Sequence, residues 1–386
     1  RLSILDLSSA GHQPMDSSNG RFVIAFNGEI YNHLDIRAEI ENLDKKINWR
    51  GHSDTETILA AFEVFGVEES IKKFIGMFAF SLWDRKRKVL TLVRDRVGEK
   101  PMYYGWQNTS FGNVFIFGSE LKAIKSFPEL NLAIDRGSLS LFLSHAYVPC
   151  PHSIYEDIFS LEPGEILEVS IDDKTSKSKK YWDVSEVIKN NTVNKFNGTS
   201  SDAVKKLESL IASSVKRQMI SDVPLGAFLS GGIDSSTIVS LMQSQSSKPI
   251  KTFTIGFNEK GFDEAKYAKS IAKHLGTDHT ELYVDADSAM KVIPDMHSIY
   301  CEPFADPTQI PNYIVSKLAN KDVKVALSGD GGDELFAGYS RYNHIDNLWK
   351  KLNYFHPSIR NMISKSLKFI FKQSIYTNYE SDKLNY

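Results

Sequence analysis

The chain has 386 residues, with 46 Lys+Arg against 48 Asp+Glu, two Cys and 41% hydrophobic side chains; at about 150 residues per domain that length predicts two or three packed domains. A net charge of −2, spread along the sequence, gives no electrostatic reason for a nucleic-acid or charged-membrane partner. Cys150 and Cys301 cannot build a disulfide framework and no Cys/His cluster offers four metal ligands, so the expected setting is a reducing, cytoplasmic one. The longest apolar run, 74–83, is about half a bilayer span and runs into Asp84-Arg85-Lys86, so no membrane segment is expected.

In chain order, Arg1 to Asp6 starts without an initiator Met and reads as a strand already under way. Phe22–Phe26 is a buried-strand run ended by Asn27-Gly28, and a helix pattern follows over His33–Leu43. Ser53-Asp54 caps a second helix beginning Thr55-Glu56-Thr57-Ile58. Met77–Trp83 and Val89–Val93 flank the charged tip Asp84 to Lys88 as a hairpin, with Phe78, Phe80 and Trp83 expected as core residues. Met102–Trp106 and Val114–Phe117 are further strands. Such a mixture predicts an α+β or αββα layered domain, bounded at 1–185. Residues 186–201 are polar, with Asn190-Asn191-Thr192 and Asn197-Gly198-Thr199-Ser200, and read as a linker.

From 202 to 386 the rhythm changes. A helix over Ala203–Ile220 precedes a strand over Leu225–Leu229 and a helix over Ser235–Gln243. Strand, helix, strand, helix and strand then follow over Thr252–Phe257, Asp263–Leu275, His279–Val284, Ala286–Ile299 and Val323–Leu327. Repeated β-α units predict an α/β doubly wound parallel sheet, whose ligands sit beyond the strand carboxyl ends. Helical spacing at Ile359, Met362, Ile363, Leu367 and Ile370 then stops without a closing element, so both termini are expected to be cut.

Two strand ends carry chemistry. Ser230-Gly231-Gly232-Ile233-Asp234-Ser235 places two glycines where backbone N–H groups turn toward an anion at a helix start, which suits phosphate or pyrophosphate. The loop has no Lys and is neither a Walker loop nor a dinucleotide loop, so neutralisation falls to a metal, with Asp234 placed to hold Mg2+. Ser328-Gly329-Asp330-Gly331-Gly332-Asp333-Glu334 is a second glycine-rich turn with acids, and Asp234 with Asp333 is expected to converge on one metal–pyrophosphate unit.

SGGIDSS, TFTIGF, FDEAKYAKSIAKHLGTDH and LSGDGGDELFAGY resemble the synthetase domain of glutamine-hydrolysing asparagine synthetases, of the PP-loop ATP pyrophosphatase class. RLSILDLSSAGHQPM, AFNGEIYNH, SDTETIL, MFAFSLWD and RDRVGEKPMYY resemble the class II glutamine amidotransferase domain, an N-terminal-nucleophile (Ntn) hydrolase fold. The resemblance implies that glutamine is held by Arg1, Leu2, Ser3, Ile4, Leu5, Glu29 and Asp54, with Asn27 and the Gly28 N–H as oxyanion hole. It implies ATP contacts at Leu229, Ile255, Ser328 and Gly329 beside the loop residues Ser230, Gly231, Gly232, Asp234 and Ser235, with ATP and Mg2+ as cofactors. Asp330 occupies the place of a Glu important to acyl-adenylate formation in the bacterial pattern.

The family nucleophile, an N-terminal Cys, falls before the RLSI match, so the chain as given is expected to lack glutaminase activity; Cys150 and Cys301 read as structural thiols. The expected function is an ATP- and glutamine-dependent ligase making an amide from a carboxylate through an acyl-adenylate, with aspartate as leading acceptor. A sugar carboxylate in surface-polysaccharide assembly is kept open by Asp330 and by Glu302 to Pro307. A non-catalytic glutamine- or nucleotide-binding homologue is the third reading. Partners are small molecules, and a homodimer is compatible with all three.

Overall fold

The computed structural model describes residues 4–43, 47–110, 112–258 and 263–367. The chain divides into two compact units, Arg1–Ser328 and Gly329–Tyr386.

The first unit contains two sheet systems. In chain order the early strands are β1 (Met15–Asp16), β2 (Phe22–Ile30), β3 (Gly76–Asp84), β4 (Val89–Arg94), β5 (Tyr103–Thr109), β6 (Gly112–Gly118), β7 (Phe159–Ser160), β8 (Glu165–Ser170) and β9 (Thr175–Lys180). They form an antiparallel sheet of order β1-β2-β3-β4-β8-β9 and a smaller one of order β6-β5-β7. Strand alternation sorts the side chains into layers. Ile24, Phe26, Phe78, Phe80 and Val93 pack with Ile36 and Ile40 of the helix His33–Asn42 and with Ile58 and Phe62 of the helix Asp54–Phe65. The opposite face of the same sheet, through Ala79, Leu92, Leu167 and Val169, meets Tyr104, Trp106 and Phe115 of the smaller sheet. Beyond that, Tyr103 and Ile116 pack on Leu121, Ile124 and Phe142 of the helices Leu121–Lys125 and Arg136–His145. The order helix, sheet, sheet, helix is the αββα arrangement that the sequence predicts.

The later strands β10 (Leu225–Phe228), β11 (Lys251–Phe257), β12 (Asp278–Val284) and β13 (Val325–Leu327) form a parallel sheet of order β12-β11-β10-β13. One face packs through Ala227, Leu229 and Leu327 on Val215, Val239, Met242, Ala268 and Ala272, and the other packs through Phe253 on Val315, Leu318 and Ala319. Helices on both faces make the sheet doubly wound. The chain leaves β10 toward β11 and returns to its other side as β13, so a topological switch point lies at the carboxyl ends of β10 and β13.

Several expectations need correction. Asn27-Gly28 does not end the strand, since β2 pairs with β3 as far as Ile30, and residues 4–6 of the strand expected at Arg1 to Asp6 are not in a strand. Trp83 points to the face opposite Phe78 and Phe80 and is only half-buried, because three residues along a strand reverse the side. The helix expected over Ala286–Ile299 breaks into Ala286–Met290, a 3-10 turn Ile293–Asp295 and Met296–Ile299, with Pro294 at the interruption. The polar segment after 185 contains an exposed helix, Val184–Val193, capped by Asp183 on the Ser185 N–H. The second unit holds the helices Gly332–Phe336, Ser340–Asn353 and 357–367.

Candidate functional site

A small cleft, partly open to solvent, forms at the end of β2. Five expected glutamine-site residues, Ile4, Leu5, Gly28, Glu29 and Asp54, line it together with Gln13, Phe26 and Thr55. Arg1, Leu2 and Ser3 lie outside the described residues.

Each wall is built locally. Gly28 sits at φ +149 where β2 crosses β3, and a Cβ there would overlap Met77 O and Phe78 Cα, so only glycine lets the strands approach. Ser53 caps the helix Asp54–Phe65 by accepting from the Glu56 N–H, which leaves Asp54 at the first helical position. Its Oδ2 accepts from the Ile30 N–H at 3.0 Å. The preceding loop is fixed from both sides. Glu56 accepts from the Arg50 and Gly51 N–H groups at 2.8 and 3.0 Å, while Arg37 donates to the Gly51 and Ser53 carbonyls at 3.0 and 2.9 Å. Gln13 braces the cleft by accepting from the Phe26 N–H at 2.7 Å and donating to Thr55 Oγ1 at 3.3 Å.

The cleft is acidic. Glu29 is 6% and Asp54 4% exposed, and burial first, then the charge of Asp54, pushes the Glu29 carboxyl up to about 8, with Lys100 opposing. Such a pair suits a ligand bearing an ammonium group. Asn27 does not line the cleft; its Nδ2 donates to Ser119 Oγ at 3.3 Å, which uses one of its two N–H groups.

At the parallel sheet, Leu229 is buried and donates from its N–H to Phe253 O at 3.0 Å, beside Ile255 on β11. Ser230 Oγ lies 2.9 Å from Ser235 Oγ. Gly231 adopts φ +88 and presses on the helix Ala265–Leu275, where a Cβ would come within 2.7 Å of Tyr267 Cβ. Gly232 caps the helix Ile233–Ser244 with no capping side chain, which leaves first-turn N–H groups of the kind that bind anions, with Asp234 in that turn. Ser328 follows β13 on the same edge.

Gly329, Asp330 and Asp333 belong to the second unit. Asp330 is exposed, and Asp333, on the helix Gly332–Phe336, packs its carboxylate against Gly338, whose N–H donates to Asp333 O at 2.9 Å.

Several expected or unexpected roles can be placed. The sulfur of Cys150 donates to Ser160 O at 3.2 Å and burial pushes its thiol up, so it is a poor thiolate. Cys301 packs beside Tyr103 and Ile154. Glu302 is turned toward the first sheet system: its Oε1 accepts from the Ile154 N–H at 2.6 Å and Oε2 from the Tyr103 hydroxyl at 3.2 Å. Gln13, Thr55 and the intermodule Asp222 are missed by sequence reasoning. For Gln13 the GHQPM stretch, matched as a motif, holds the signal.

The class follows from where the domain families fall. Residues 1–182 match the family described as glutamine amidotransferase domain and residues 206–381 the family described as asparagine synthase, so the chain joins a module of each family. Asparagine synthetase [glutamine-hydrolyzing] 1 of Bacillus subtilis is 37% identical over 343 residues, 89% of this chain and 51% of its own length. A provisionally named asparagine synthetase of Methanocaldococcus jannaschii is 37% identical over 356 residues, 88% of this chain and 66% of its own. Asparagine synthetase B of Escherichia coli is 30% identical over 365 residues, 90% of this chain and 57% of its own. The chain belongs to the family of glutamine-hydrolysing asparagine synthetases, and it spans between about half and two thirds of the length of these relatives.

Proposed function

We propose that the chain serves a glutamine- and ATP-dependent ligase that converts a carboxylate to its amide through an acyl-adenylate, with aspartate as the acceptor. The observation that carries the glutamine half is the pairing of Glu29 and Asp54 in one cleft: two buried carboxylates are complementary to an α-ammonium group. In this reading the Gly28 N–H supplies a donor to the charge that develops on the carboxamide oxygen, and Asn27, held on Ser119 outside the cleft lining, joins it by turning its amide toward the ligand. Leu229, Ile255 and Ser328 border the nucleotide, and the N–H groups after Gly232 bind its phosphates.

Among the described residues no group of three or more His, Cys, Asp and Glu is assembled as a metal cage. Mg2+ does not require one, since it commonly takes one or two carboxylates and completes its shell with phosphate oxygens and water. Asp234 and Asp333 suit that role, and the ion when bound would neutralise pyrophosphate. Residues 1–185 form the glutamine module, 186–201 the connection and 202–386 the nucleotide module. No helix among the described residues is long and apolar enough to cross a membrane, and a cytoplasmic site of action is part of the same proposal.

The test is pyrophosphate release from ATP with ammonia as nitrogen donor and a panel of acceptors. Release with aspartate supports the assignment. Release with a sugar carboxylate alone retains the reaction class and removes aspartate, and no release with any acceptor leaves a binding protein.

A further inference from the structure

One carboxylate of the nucleotide module grips the chain segments that flank the glutamine cleft in the other. Asp222 lies between the helix Ser200–Gln218 and β10. Its Oδ2 accepts from the Asp6 N–H at 2.8 Å and lies 2.6 Å from His52 Nε2, and its own N–H donates to Ile4 O at 3.1 Å. Asp6 closes the arrangement. It is fully buried, sits at φ +54, accepts through Oδ2 from the His52 N–H at 2.9 Å and through Oδ1 from Ser8. A Cβ on Gly51 would overlap that Asp6 oxygen, so the loop before Asp54 is built around the contact.

The two segments gripped by Asp222 both lead into walls of the cleft: one carries Ile4 and Leu5, which line it, and the other carries His52, two residues before the lining residue Asp54. We propose that Asp222 is a positioning residue for the glutamine pocket, so that glutamine affinity depends on the nucleotide module through this one side chain. This rests on the glutamine reading of the cleft. Charge agrees with geometry, because Asp222 is one of the acids whose field reaches Glu29. The partners are 216 residues apart for Asp6 and 170 for His52, so the link exists only when the modules are docked. Asp222 stands three residues before β10, whose far end carries the Ser230–Ser235 loop. A displacement of that strand therefore has a short path to the cleft.

The experiment compares the parent chain with Asp222→Ala, Asp222→Asn and Glu302→Gln. Glutamine affinity is read by calorimetry, and backbone hydrogen exchange is read over residues 4–8 and 51–56. Asn keeps an oxygen for the Asp6 N–H but not the charge facing His52, so it should rescue part of the loss. We expect Asp222→Ala to weaken glutamine binding at least tenfold with faster exchange in both segments, and Asp222→Asn to fall between. Glu302→Gln, which loosens a different contact between the modules, should remain within twofold of the parent. Unchanged affinity and exchange in Asp222→Ala would overturn the proposal, as would an equal loss in Glu302→Gln, which would mean that docking in general is what matters. If the parent binds no glutamine, the glutamine reading falls, and the exchange data alone decide whether Asp222 orders these segments.

Discussion

Glu29 and Asp54 face one cleft from two elements, Glu29 from the end of β2 and Asp54 from the first turn of the helix Asp54–Phe65. Their surroundings differ. Asp54 accepts from the Ile30 N–H and lies at a helix N-terminus, where backbone dipoles favour an anion. Glu29 is shifted to about 8 by burial and by that neighbouring charge, so it holds a proton at neutral pH while the cleft is empty.

Stability should record this proton. The ordinary value for Glu is 4.5 and the folded value about 8, so between them the native state carries a proton that the unfolded chain has released. Stability must then fall as pH rises through that window, by about 1.4 kcal/mol per unit for this one group. Glu29→Gln should match the parent near pH 4.5 and exceed it at pH 7 by on the order of 3 kcal/mol. Urea denaturation at several pH values checks it, and a parent-to-variant difference independent of pH would show that Glu29 is not held neutral by its surroundings.

Glutamine binding should expel the same proton. An α-ammonium between the two carboxylates favours ionised Glu29, so the parent should release close to one proton per glutamine at pH 7, read from calorimetry in buffers of different ionisation enthalpy. Glu29→Gln should bind roughly a hundredfold more weakly, about 2.7 kcal/mol, and release none. Equal proton release in the two proteins would place the ammonium elsewhere.

Legibility followed the range of the interaction. Alternation in Phe22, Ile24 and Phe26, the Ser53 cap and the charged hairpin tip are local, and the structure has them where the sequence places them. Gly231 of the Ser230–Ser235 loop is readable because a positive φ and the close approach of Tyr267 and Ala268 demand that residue type, whereas neither constraint acts on Gly232. Weak local signals mislead: Pro294 breaks a stretch whose apolar spacing is otherwise helical, the two-residue β7 is too brief for any periodicity, and the all-polar β9 has none. Asp222 was invisible for another reason. Nothing in Ser221-Asp222-Val223 distinguishes it from a solvated loop acid, and its meaning comes from partners in a different module.

Gly28 sets a steric limit on the cleft. Because a Cβ would overlap the Met77 carbonyl oxygen and Phe78 Cα, which are backbone atoms that cannot rotate away, Gly28→Ala must push β2 from β3. Overpacking of this kind costs typically 1–3 kcal/mol, and the positive φ adds to it. A loss of about 3 kcal/mol in urea denaturation is expected, together with loss of glutamine binding, because the displaced strand also carries Glu29. Wild-type stability with intact binding would mean that the strands are not packed as closely as described.

Asp234 tests the nucleotide half without touching the cleft. It sits in the first turn of the helix Ile233–Ser244, half-buried, at a helix start whose backbone N–H groups have no capping side chain. Those N–H groups can bind phosphate oxygens unaided, but they cannot hold a divalent ion; a carboxylate can. Asp234→Asn keeps the size and the helix and removes the charge. ATP-dependent pyrophosphate release should therefore drop at least a hundredfold, about 2.7 kcal/mol of barrier, and respond less steeply to Mg2+. Glutamine affinity measured on the same preparation should be unchanged, which separates a local loss from misfolding. Parent-like pyrophosphate release with parent-like Mg2+ dependence would remove Asp234 from the metal site and leave the loop as a backbone phosphate cradle alone.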